Sequence, residues 1–316
     1  MKGNATVIKN AGSHYMLSML PEWAPFPAVL KGKIRLKAGQ STNPVAVGDH
    51  VSFETDAACT DDITAESPAL ITEVLDRSNY VVRKSTNLSR QSHVIAANID
   101  MAFAVVTLYF PEVKLPFLDR MLVTCGVYGI PVTIVLNKTD LYRDEAPESV
   151  HSFNDIYINA GYRVIETSVK DKSGIEELKE LVRGKVCLMS GESGVGKSSL
   201  VKAIDPSLSP KTGLISEAHL QGKHTTSLYE MYSIASGGYI IDTPGLRGFG
   251  LVNLEKEEIS KYFPEMLKAS SGCRFTPCTH THEPGCAVKE GVENGTISVE
   301  RYSSYLGMIE EDRKFR

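Results

Sequence analysis

Residues 191–198 read Gly191-Glu192-Ser193-Gly194-Val195-Gly196-Lys197-Ser198, a full match to the pattern G-x-x-x-x-G-K-[ST]. The apolar run Val186–Met189 comes just before this match, and the helical pattern Ser198–Ile204 begins at its last residue. A strand, a glycine-rich loop and a helix in this order bind phosphate, because backbone N–H groups and the positive end of the helix dipole surround the anion. The sequence therefore predicts a nucleotide site in a parallel α/β domain.

Two side chains of this loop have predicted roles in phosphate chemistry. Lys197 is expected to reach the β- and γ-phosphates and to act there as a catalytic residue. Ser198 is expected to ligate Mg²⁺ through its hydroxyl group. The flanking residues Ser190 and Ser199 are expected to contact the nucleotide as well.

The base is predicted from a second motif, Asn137-Lys138-Thr139-Asp140, which reads N-K-x-D and follows the strand-like run Val132–Leu136. The Asp140 carboxylate can accept hydrogen bonds from both N1–H and the 2-amino group of guanine, whereas adenine has no such donor pair. Ordinary turns also contain these residues, since Asn and Asp favour capping positions. Together with the phosphate loop, the motif favours guanine nucleotides, namely GTP and GDP.

Two further segments complete the predicted nucleotide site. Thr167-Ser168-Val169-Lys170 is expected to present backbone N–H groups of Ser168 and Val169 to the guanine oxygen, the alternative being an ordinary loop. Asp242-Thr243-Pro244-Gly245 reads D-x-x-G, which predicts Asp242 at Mg²⁺ through a water molecule and the Gly245 N–H at the γ-phosphate.

A polar segment between these motifs, Gly222-Lys223-His224-Thr225-Thr226, has the composition of a mobile switch. Either Thr225 or Thr226 is expected to close on Mg²⁺ in the triphosphate state. The order of the motifs is permuted, because N-K-x-D precedes the phosphate loop and D-x-x-G comes last. Folded domains tolerate such permutation, since their termini often lie close together.

The whole chain divides into four predicted regions. Residues 1–76 carry five short apolar runs separated by turns, which predict an OB-like β-barrel. Residues 77–92 are predicted to be a linker, either a solvated connector or a strap that contacts phosphates. Residues 93–250 alternate between strand and helix patterns and form the permuted nucleotide-binding domain. Residues 251–316 are predicted to form a helical zinc-binding domain.

The barrel also contains a run of basic residues with a period of two. Lys31, Lys33 and Arg35 would share one face of a strand predicted over Ala28–Leu36 and would contact RNA phosphates there. A solvated edge strand with protective lysines is the alternative. A second predicted strand, Val45–Phe53, follows this run.

A Cys/His cluster near the end of the sequence predicts one structural Zn²⁺. Its spacing, Cys273-x4-Cys278-x-His280-x5-Cys286, supplies three thiolates and an imidazole, enough for a closed tetrahedral site. His282 is an alternative imidazole ligand, because it lies only two residues beyond His280.

Composition limits the class of protein. The 316 residues have a formal net charge of −4, so RNA binding would have to come from local basic patches. The longest apolar stretch, Met101–Phe110, is far shorter than the roughly 20 residues that span a bilayer. There is no apolar segment after the N-terminus, so we expect a cytoplasmic protein without membrane contact, and we expect it to be a monomer.

These features resemble one family, the small-ribosomal-subunit biogenesis GTPases known as RsgA, YjeQ or YloQ. The resemblance rests on the permuted order, the G-K-H-T-T segment, the barrel residues Leu30–Lys33 and Val45–Val51, the segment Ala96–Asp100 and the cluster Cys273–Cys286. It implies a GTPase that binds the 30S subunit late in maturation, contacts its 16S rRNA through the OB-fold domain and is stimulated by the subunit. It also implies Zn²⁺ at Cys273, Cys278, His280 and Cys286.

The chain departs from Ras-like enzymes where a Gln orients the attacking water, since Leu246 follows the D-x-x-G glycine. The resemblance implies that His224 takes over this role, while the alternative is an exposed histidine without one. The family often has Arg before H-T-T, where this chain has Lys223. Three classes of function remain open: a ribosome-stimulated GTP hydrolase, a module in which GTP only gates RNA affinity, and an ATP-dependent phosphotransferase.

Overall fold

The computed structural model describes residues 1–32, 34, 44–84, 92–208, 229–243 and 254–314. An N-terminal barrel is built from five strands: β1 (Lys2–Ala11), β2 (His14–Ser18), β3 (Phe26–Leu30), β4 (His50–Glu54) and β5 (Ala69–Val74). They pair in the order β1-β2-β3-β5-β4, and β4 also pairs with β1 to close the barrel. The strands alternate buried and exposed residues, so that Leu17, Phe26 and Phe53 fill the interior. This confirms the predicted OB-like barrel.

Two predicted barrel strands are wrong in extent. The strand expected over Ala28–Leu36 ends at Leu30, and the chain then turns, because the amide of Ile34 donates to the carbonyl of Lys31 at 3.0 Å. Ile34 packs against the barrel core, which is consistent with this turn after Leu30. The strand expected over Val45–Phe53 begins only at His50.

The predicted linker, residues 77–92, instead contributes to a hairpin. Strand β6 (Tyr80–Lys84) pairs antiparallel with β7 (Ser92–Ala97). Burial of Val81 and Val82 stabilises this pairing. The sequence did not predict the strand, because the basic residues around these two valines are typical of a solvent-exposed segment. Arg77 binds the fully buried Asp49 through two nitrogens, at 2.6 and 2.7 Å. The Arg77 guanidinium therefore neutralises a buried carboxylate within the protein.

In its described residues, the following domain contains six strands and four α-helices. The strands are β8 (Met101–Val106), β9 (Val132–Asn137), β10 (Arg163–Thr167), β11 (Val186–Ser190), β12 (Tyr229–Ser233) and β13 (Tyr239–Asp242). The helices are α1 (Leu115–Val127), α2 (Pro147–Asn159), α3 (Ile175–Val182) and α4 (Lys197–Ile204). Strand order is β10-β9-β8-β11-β13-β12, parallel except for the antiparallel β12, which the sequence analysis missed.

Helices cover both faces of this sheet. On β8, Ala102 and Ala104 pack with α1 and α2, whereas Phe103 and Val105 pack with α3 and α4. Alternation along a strand explains this division, because successive side chains point to opposite faces. The predicted α/β domain with two covered faces is thereby confirmed.

Barrel and nucleotide-binding domain share one continuous sheet. Strand β1 pairs antiparallel with β12, with Lys9 opposite Glu230 and Asn10 opposite Tyr229. An ion pair of 2.8 Å between Lys9 and Glu230 reinforces this seam. The barrel is thus hydrogen-bonded directly to the strand that borders β13.

The C-terminal domain is helical, with a 3₁₀ segment at Lys256–Tyr262 followed by α5 (Pro264–Ser270), α6 (Ala287–Glu293) and α7 (Val299–Lys314). Arg301 of α7 is fully buried and joins this domain to α1, where its guanidinium meets Asp119 at 2.7 Å. It also contacts Glu265 of α5 at 2.8 Å. Within the described residues, no helix has the length and hydropathy needed to cross a bilayer.

Candidate nucleotide site and metal cluster

The phosphate loop follows β11 and ends in α4, as predicted. Gly191 and Gly196 cannot be replaced without displacing backbone or side-chain atoms. A Cβ atom at Gly191 would lie 2.2 Å from the carbonyl oxygen of Val105, and one at Gly196 would lie 2.4 Å from Asn137 Nδ2. Glycine is needed at both positions because the loop closely approaches the neighbouring β8 and β9 segments.

Lys197, at the first position of α4, is buried within this loop. Its ammonium group donates to the carbonyl oxygens of Gly191 and Glu192, both at 2.8 Å. Burial lowers the pKa of Lys197, while the nearby carboxylates of Asp242 and Glu192 raise it. A cation held at the centre of a curled loop is well placed to attract an anionic phosphate.

The N-K-x-D loop lies against the phosphate loop. Asn137 Nδ2 donates to the carbonyl oxygen of Val195 at 2.8 Å, and Lys138 Nζ donates to that of Gly194 at 2.7 Å. These two segments are more than 50 residues apart in the chain and meet because β8 alone separates β9 from β11 in the sheet. The two predicted motifs are therefore in direct contact.

The predicted base-reading segments also meet. Ser168 Oγ donates to Asp140 Oδ1 at 2.7 Å, which joins the N-K-x-D loop to the loop after β10. Thr167 Oγ1 donates to Asn137 Oδ1 at 3.0 Å, and Thr139 Oγ1 donates to the carbonyl of Thr167 at 3.2 Å. Val169 is exposed beside them.

Three residues that support these loops were not identified from the sequence. Arg143 donates to Thr139 Oγ1 at 2.7 Å, and Tyr142 donates its hydroxyl to the carbonyl of Asn137. The Lys138 ammonium also binds the carbonyl of Phe110 at 2.7 Å. No local pattern marks such partners, because only the tertiary fold brings them to the motif.

Asp242 ends β13 beside the phosphate loop. Its Oδ1 atom is buried and has no hydrogen-bond partner among the described residues. Burial raises the pKa of Asp242, the charge of Lys197 lowers it, and the charge of Glu230 raises it. An unpartnered buried carboxylate oxygen fits a divalent cation or its bound water, because desolvated polar atoms need a partner.

The remaining residues predicted to contact the nucleotide or RNA differ in exposure, and several lie outside the described residues. Ser190 is buried, Ser193 and Ser199 are exposed, and Ser198 is partly exposed in the first turn of α4. The predicted switch residues His224, Thr225 and Thr226 lie outside the described residues, as do Gly245, Leu246 and the basic residues Lys33 and Arg35. Lys31 is described, and it pairs with Glu54 at 2.6 Å.

The Cys/His cluster is brought together in the C-terminal domain. The ligand atoms of Cys273, Cys278, His280 and Cys286 all lie within 4.8 Å of one another. His280 Nδ1 lies 3.6 Å from Cys273 Sγ and 3.4 Å from Cys286 Sγ, and the two sulfurs are 3.9 Å apart. Ligands bound tetrahedrally to zinc at about 2.0–2.3 Å are separated by roughly 3.4–3.8 Å, so the cluster fits this ion.

The loop around the cluster selects His280 over His282. His282 is exposed and its Nδ1 bonds to Thr281 Oγ1 at 2.9 Å, away from the sulfurs. The Glu283 carboxylate accepts hydrogen bonds from the amides of Thr279, Thr281 and His282. Partial burial raises the pKa of Glu283, but hydrogen bonds from the Thr279 hydroxyl and from the amides of Thr279 and Thr281 lower it to about 2.

The loop is also anchored to α7. Tyr302 donates its hydroxyl to the carbonyl of His280, and Tyr305 donates to that of Thr279, both at 2.6 Å. The loop that carries the Cys/His cluster is therefore held from two directions, by the Glu283 carboxylate and by the terminal helix.

Comparisons with known proteins agree with this architecture. The family model described as RsgA GTPase matches residues 74–252. The chain is 45% identical to small ribosomal subunit biogenesis GTPase RsgA 2 of Bacteroides thetaiotaomicron over 318 aligned residues, covering 100% of this chain and 99% of that protein. It is 46% identical to small ribosomal subunit biogenesis GTPase RsgA of Flavobacterium psychrophilum, covering 97% and 92%.

Solved structures show the same relationship. The crystal structure of YjeQ from Thermotoga maritima superposes with a TM-score of 0.76 at 32% identity and covers 98% of each chain. That of YloQ, a circularly permuted GTPase, gives a TM-score of 0.71 at 26% identity and covers 100% of this chain and 96% of the other. Barrel, permuted motif order and metal cluster are thus combined in a chain that belongs to the RsgA GTPase family.

Proposed function

We propose that this protein binds the small (30S) ribosomal subunit and hydrolyses GTP to GDP and phosphate when the subunit stimulates it, assisting late 30S maturation. The observation that supports the GTPase most directly is the meeting of the N-K-x-D and phosphate loops through Asn137 and Lys138. The names of its relatives support the subunit as the partner.

In this proposal the pocket binds GTP through its two joined loops. The phosphate-loop amides and Lys197 hold the β- and γ-phosphates and withdraw charge from the bond that breaks. Asp140 reads the guanine edge, and Ser168 orients that carboxylate through the hydrogen bond at 2.7 Å. Ser198, Asp242 and a switch threonine, Thr225 or Thr226, would hold Mg²⁺, which neutralises phosphate charge.

We assign His224 to the attacking water, because Leu246 has no polar group with which to orient it. A neutral imidazole can accept a proton from water near pH 7. The Gly245 amide would meet the γ-phosphate on the same side. Since His224 belongs to a switch segment, its position would depend on the partner that orders this segment.

Purified protein is expected to hydrolyse GTP slowly, and isolated 30S subunits are expected to raise the rate at least severalfold. The reason is the missing glutamine, which leaves hydrolysis dependent on an ordered switch. Phosphate release should be measured with and without 30S subunits, using GTP and ATP in parallel. Equal or faster turnover of ATP would contradict the guanine assignment. Binding of GTP without stimulated turnover would favour a module in which the nucleotide only gates RNA affinity.

The His224→Ala variant is expected to lose most of the 30S-stimulated rate, by about 10²-fold, while keeping its affinity for GTP. The variant lacks the general base that acts in the transition state, so the hydrolysis rate should fall. It keeps the contacts that bind GTP in the ground state, so the affinity should not change. His151→Ala on α2 is the matched control, since His151 is exposed and its Nε2 atom lies 3.3 Å from Asp155 Oδ2 at the surface. Full stimulated activity in His224→Ala would refute the assigned role.

We also infer that the Cys/His cluster binds one structural Zn²⁺. Three thiolates and an imidazole in tetrahedral separation leave no open coordination position, so the ion would stabilise the fold and take no part in hydrolysis. Its position beneath α7 supports this role, because Tyr302 and Tyr305 tie the ligand loop to that helix.

Replacing Cys286 by Ser is expected to reduce bound zinc from one ion per chain to near zero and to lower the thermal midpoint of the protein. Inductively coupled plasma mass spectrometry and calorimetry measure the two effects. The matched control is His282→Ala, which should retain a full equivalent of zinc, because His282 points away from the sulfurs. Loss of zinc in that control would make His282 the ligand instead of His280.

The barrel is proposed to contact 16S rRNA, with Lys31, Lys33 and Arg35 as candidate phosphate contacts. Of these three residues, only Lys31 is described in the structure, and its ammonium group pairs with the Glu54 carboxylate. RNA phosphates would have to displace that carboxylate, which costs little at a partly exposed site. We further propose that the protein works in the cytoplasm as a monomer.

A further inference from the structure

A row of three charged residues crosses the seam between the barrel and the nucleotide-binding domain. Lys9 on β1 lies opposite Glu230 on β12, and Glu230 lies opposite Asp242 on β13. Residues directly opposite in antiparallel pairs project to the same face of a sheet. The three side chains therefore form one line, which begins in the barrel and ends at the phosphate loop.

The contacts along this row are unequal. Lys9 Nζ binds Glu230 Oε1 at 2.8 Å, with both side chains about one-third exposed, at 30% and 31%. The other oxygen of Glu230 accepts a hydrogen bond from the Tyr232 hydroxyl at 3.4 Å. Asp242 is mostly buried, and its Oδ1 atom has no partner among the described residues. The negative charge of Glu230 thus stands next to the Asp242 carboxylate, and the barrel supplies the positive charge that pairs with Glu230.

We propose that Glu230 is a positioning residue for the divalent cation at Asp242, and that Lys9 is the charge through which the barrel sets the affinity for that cation. This proposal rests on the proposed GTPase function and concerns the same site. The carboxylate of Glu230 attracts the cation, Lys9 partly cancels that attraction, and neither residue needs to touch the metal or the nucleotide.

The arrangement also gives a partner access to the cation site. Lys9 and Glu230 line a groove of about 650 Å³ between the barrel and the sheet, together with Trp23. An anion that binds Lys9 in this groove would leave the Glu230 charge free to attract the cation at Asp242. Such a partner would strengthen cation binding without entering the nucleotide pocket.

Single substitutions should shift the cation affinity in opposite directions. Lys9→Met is expected to lower the Mg²⁺ concentration for half-maximal binding of a fluorescent non-hydrolysable GTP analogue by about threefold to tenfold. Glu230→Gln is expected to raise it by a similar factor. In a water-like dielectric, one charge acting on a divalent ion about 8 Å away changes its affinity roughly fivefold. The Lys9→Met/Glu230→Gln double variant keeps the net charge of the pair and should lie within about twofold of wild type.

Opposite signs separate an electrostatic role from a structural one. If Lys9 and Glu230 merely held the seam together, both single variants would weaken binding, and that result would overturn the proposal. Glu177→Gln on α3 is the matched control, because it removes an exposed carboxylate that pairs with Arg163 at 2.7 Å, far from the row. No response in any variant, with normal Mg²⁺-dependent binding in wild type, would also overturn it. Absence of analogue binding in wild type would overturn the proposed function as well.

Discussion

Replacing Asp140 by asparagine is expected to lower the affinity for GTP about a hundredfold and to allow xanthosine triphosphate to bind in its place. The Asp140 carboxylate offers two acceptors to the N1–H and 2-amino donors of guanine. An asparagine amide keeps one acceptor but turns an N–H donor towards the 2-amino group, which leaves both donors unpaired. Xanthine carries a carbonyl oxygen at that position, so its pattern matches the amide. Sites built around buried polar pairs discriminate by factors of this size or larger.

Competition binding with labelled GTP would measure both effects. Asp144→Asn is the matched control, because Asp144 is exposed a few residues beyond the loop and should leave both affinities unchanged. The hydrogen bond from Ser168 Oγ to Asp140 Oδ1 can persist in the variant, since the amide oxygen still accepts it. If GTP affinity remained at the wild-type level in Asp140→Asn, Asp140 would not read the base.

Replacing Arg301 by methionine is expected to destabilise the protein by about 3–5 kcal/mol. Its guanidinium has no exposed surface and is the only described cation that contacts both Asp119 and Glu265. The substitution would leave two carboxylates buried without a counter-charge, and it would also remove the stacking of the guanidinium on Phe263, 4.6 Å from the ring centre. Urea unfolding followed by circular dichroism provides the free energy of unfolding.

Two comparison variants distinguish the cause of this loss. Arg183→Met removes an arginine that pairs with Glu180 at the surface, and it should change the stability by less than about 0.5 kcal/mol. A triple variant that combines Arg301→Met with Asp119→Leu and Glu265→Leu should recover much of the lost stability, because no buried charge remains unpaired. A loss below about 1 kcal/mol in the single variant would contradict a structural role for the buried ion cluster.

The motifs themselves could be assigned from short segments. A phosphate loop, a base loop and a metal cluster depend on residue types at fixed spacing, and these spacings survive in the chain regardless of which elements surround them. Apolar runs likewise marked β8, β9, β11 and β13, because strands buried on both faces are continuously apolar. The edge strand β10 was marked by the shorter apolar pair Val164 and Ile165. Strand β12 was not predicted, because apolar and polar residues alternate along Tyr229–Ser233 and one of the polar residues is Glu230.

Partners that are distant in the sequence could not be assigned in this way. The basic residues after Leu30 alternate as they would in a strand, yet Ile34 turns the chain towards the barrel core. Arg77 lies in a polar, basic segment whose composition is typical of a phosphate-binding linker. Its guanidinium nevertheless pairs with the buried Asp49. In both cases a buried contact outweighed the local pattern, because burial and ion pairing contribute more free energy than the weak preferences of an exposed segment.

Spacing along the chain was thus sufficient to predict a chemistry for each loop, including guanine over adenine and metal ligands over disulfides. Only the folded sheet brings the N-K-x-D and phosphate loops together and sets Lys9 in line with Glu230 and Asp242, and only the folded C-terminal loop places His280, rather than His282, beside the three cysteines. The physical reason is range: hydrogen-bonding capacity belongs to individual residues, whereas the distances between charges depend on strand order and register.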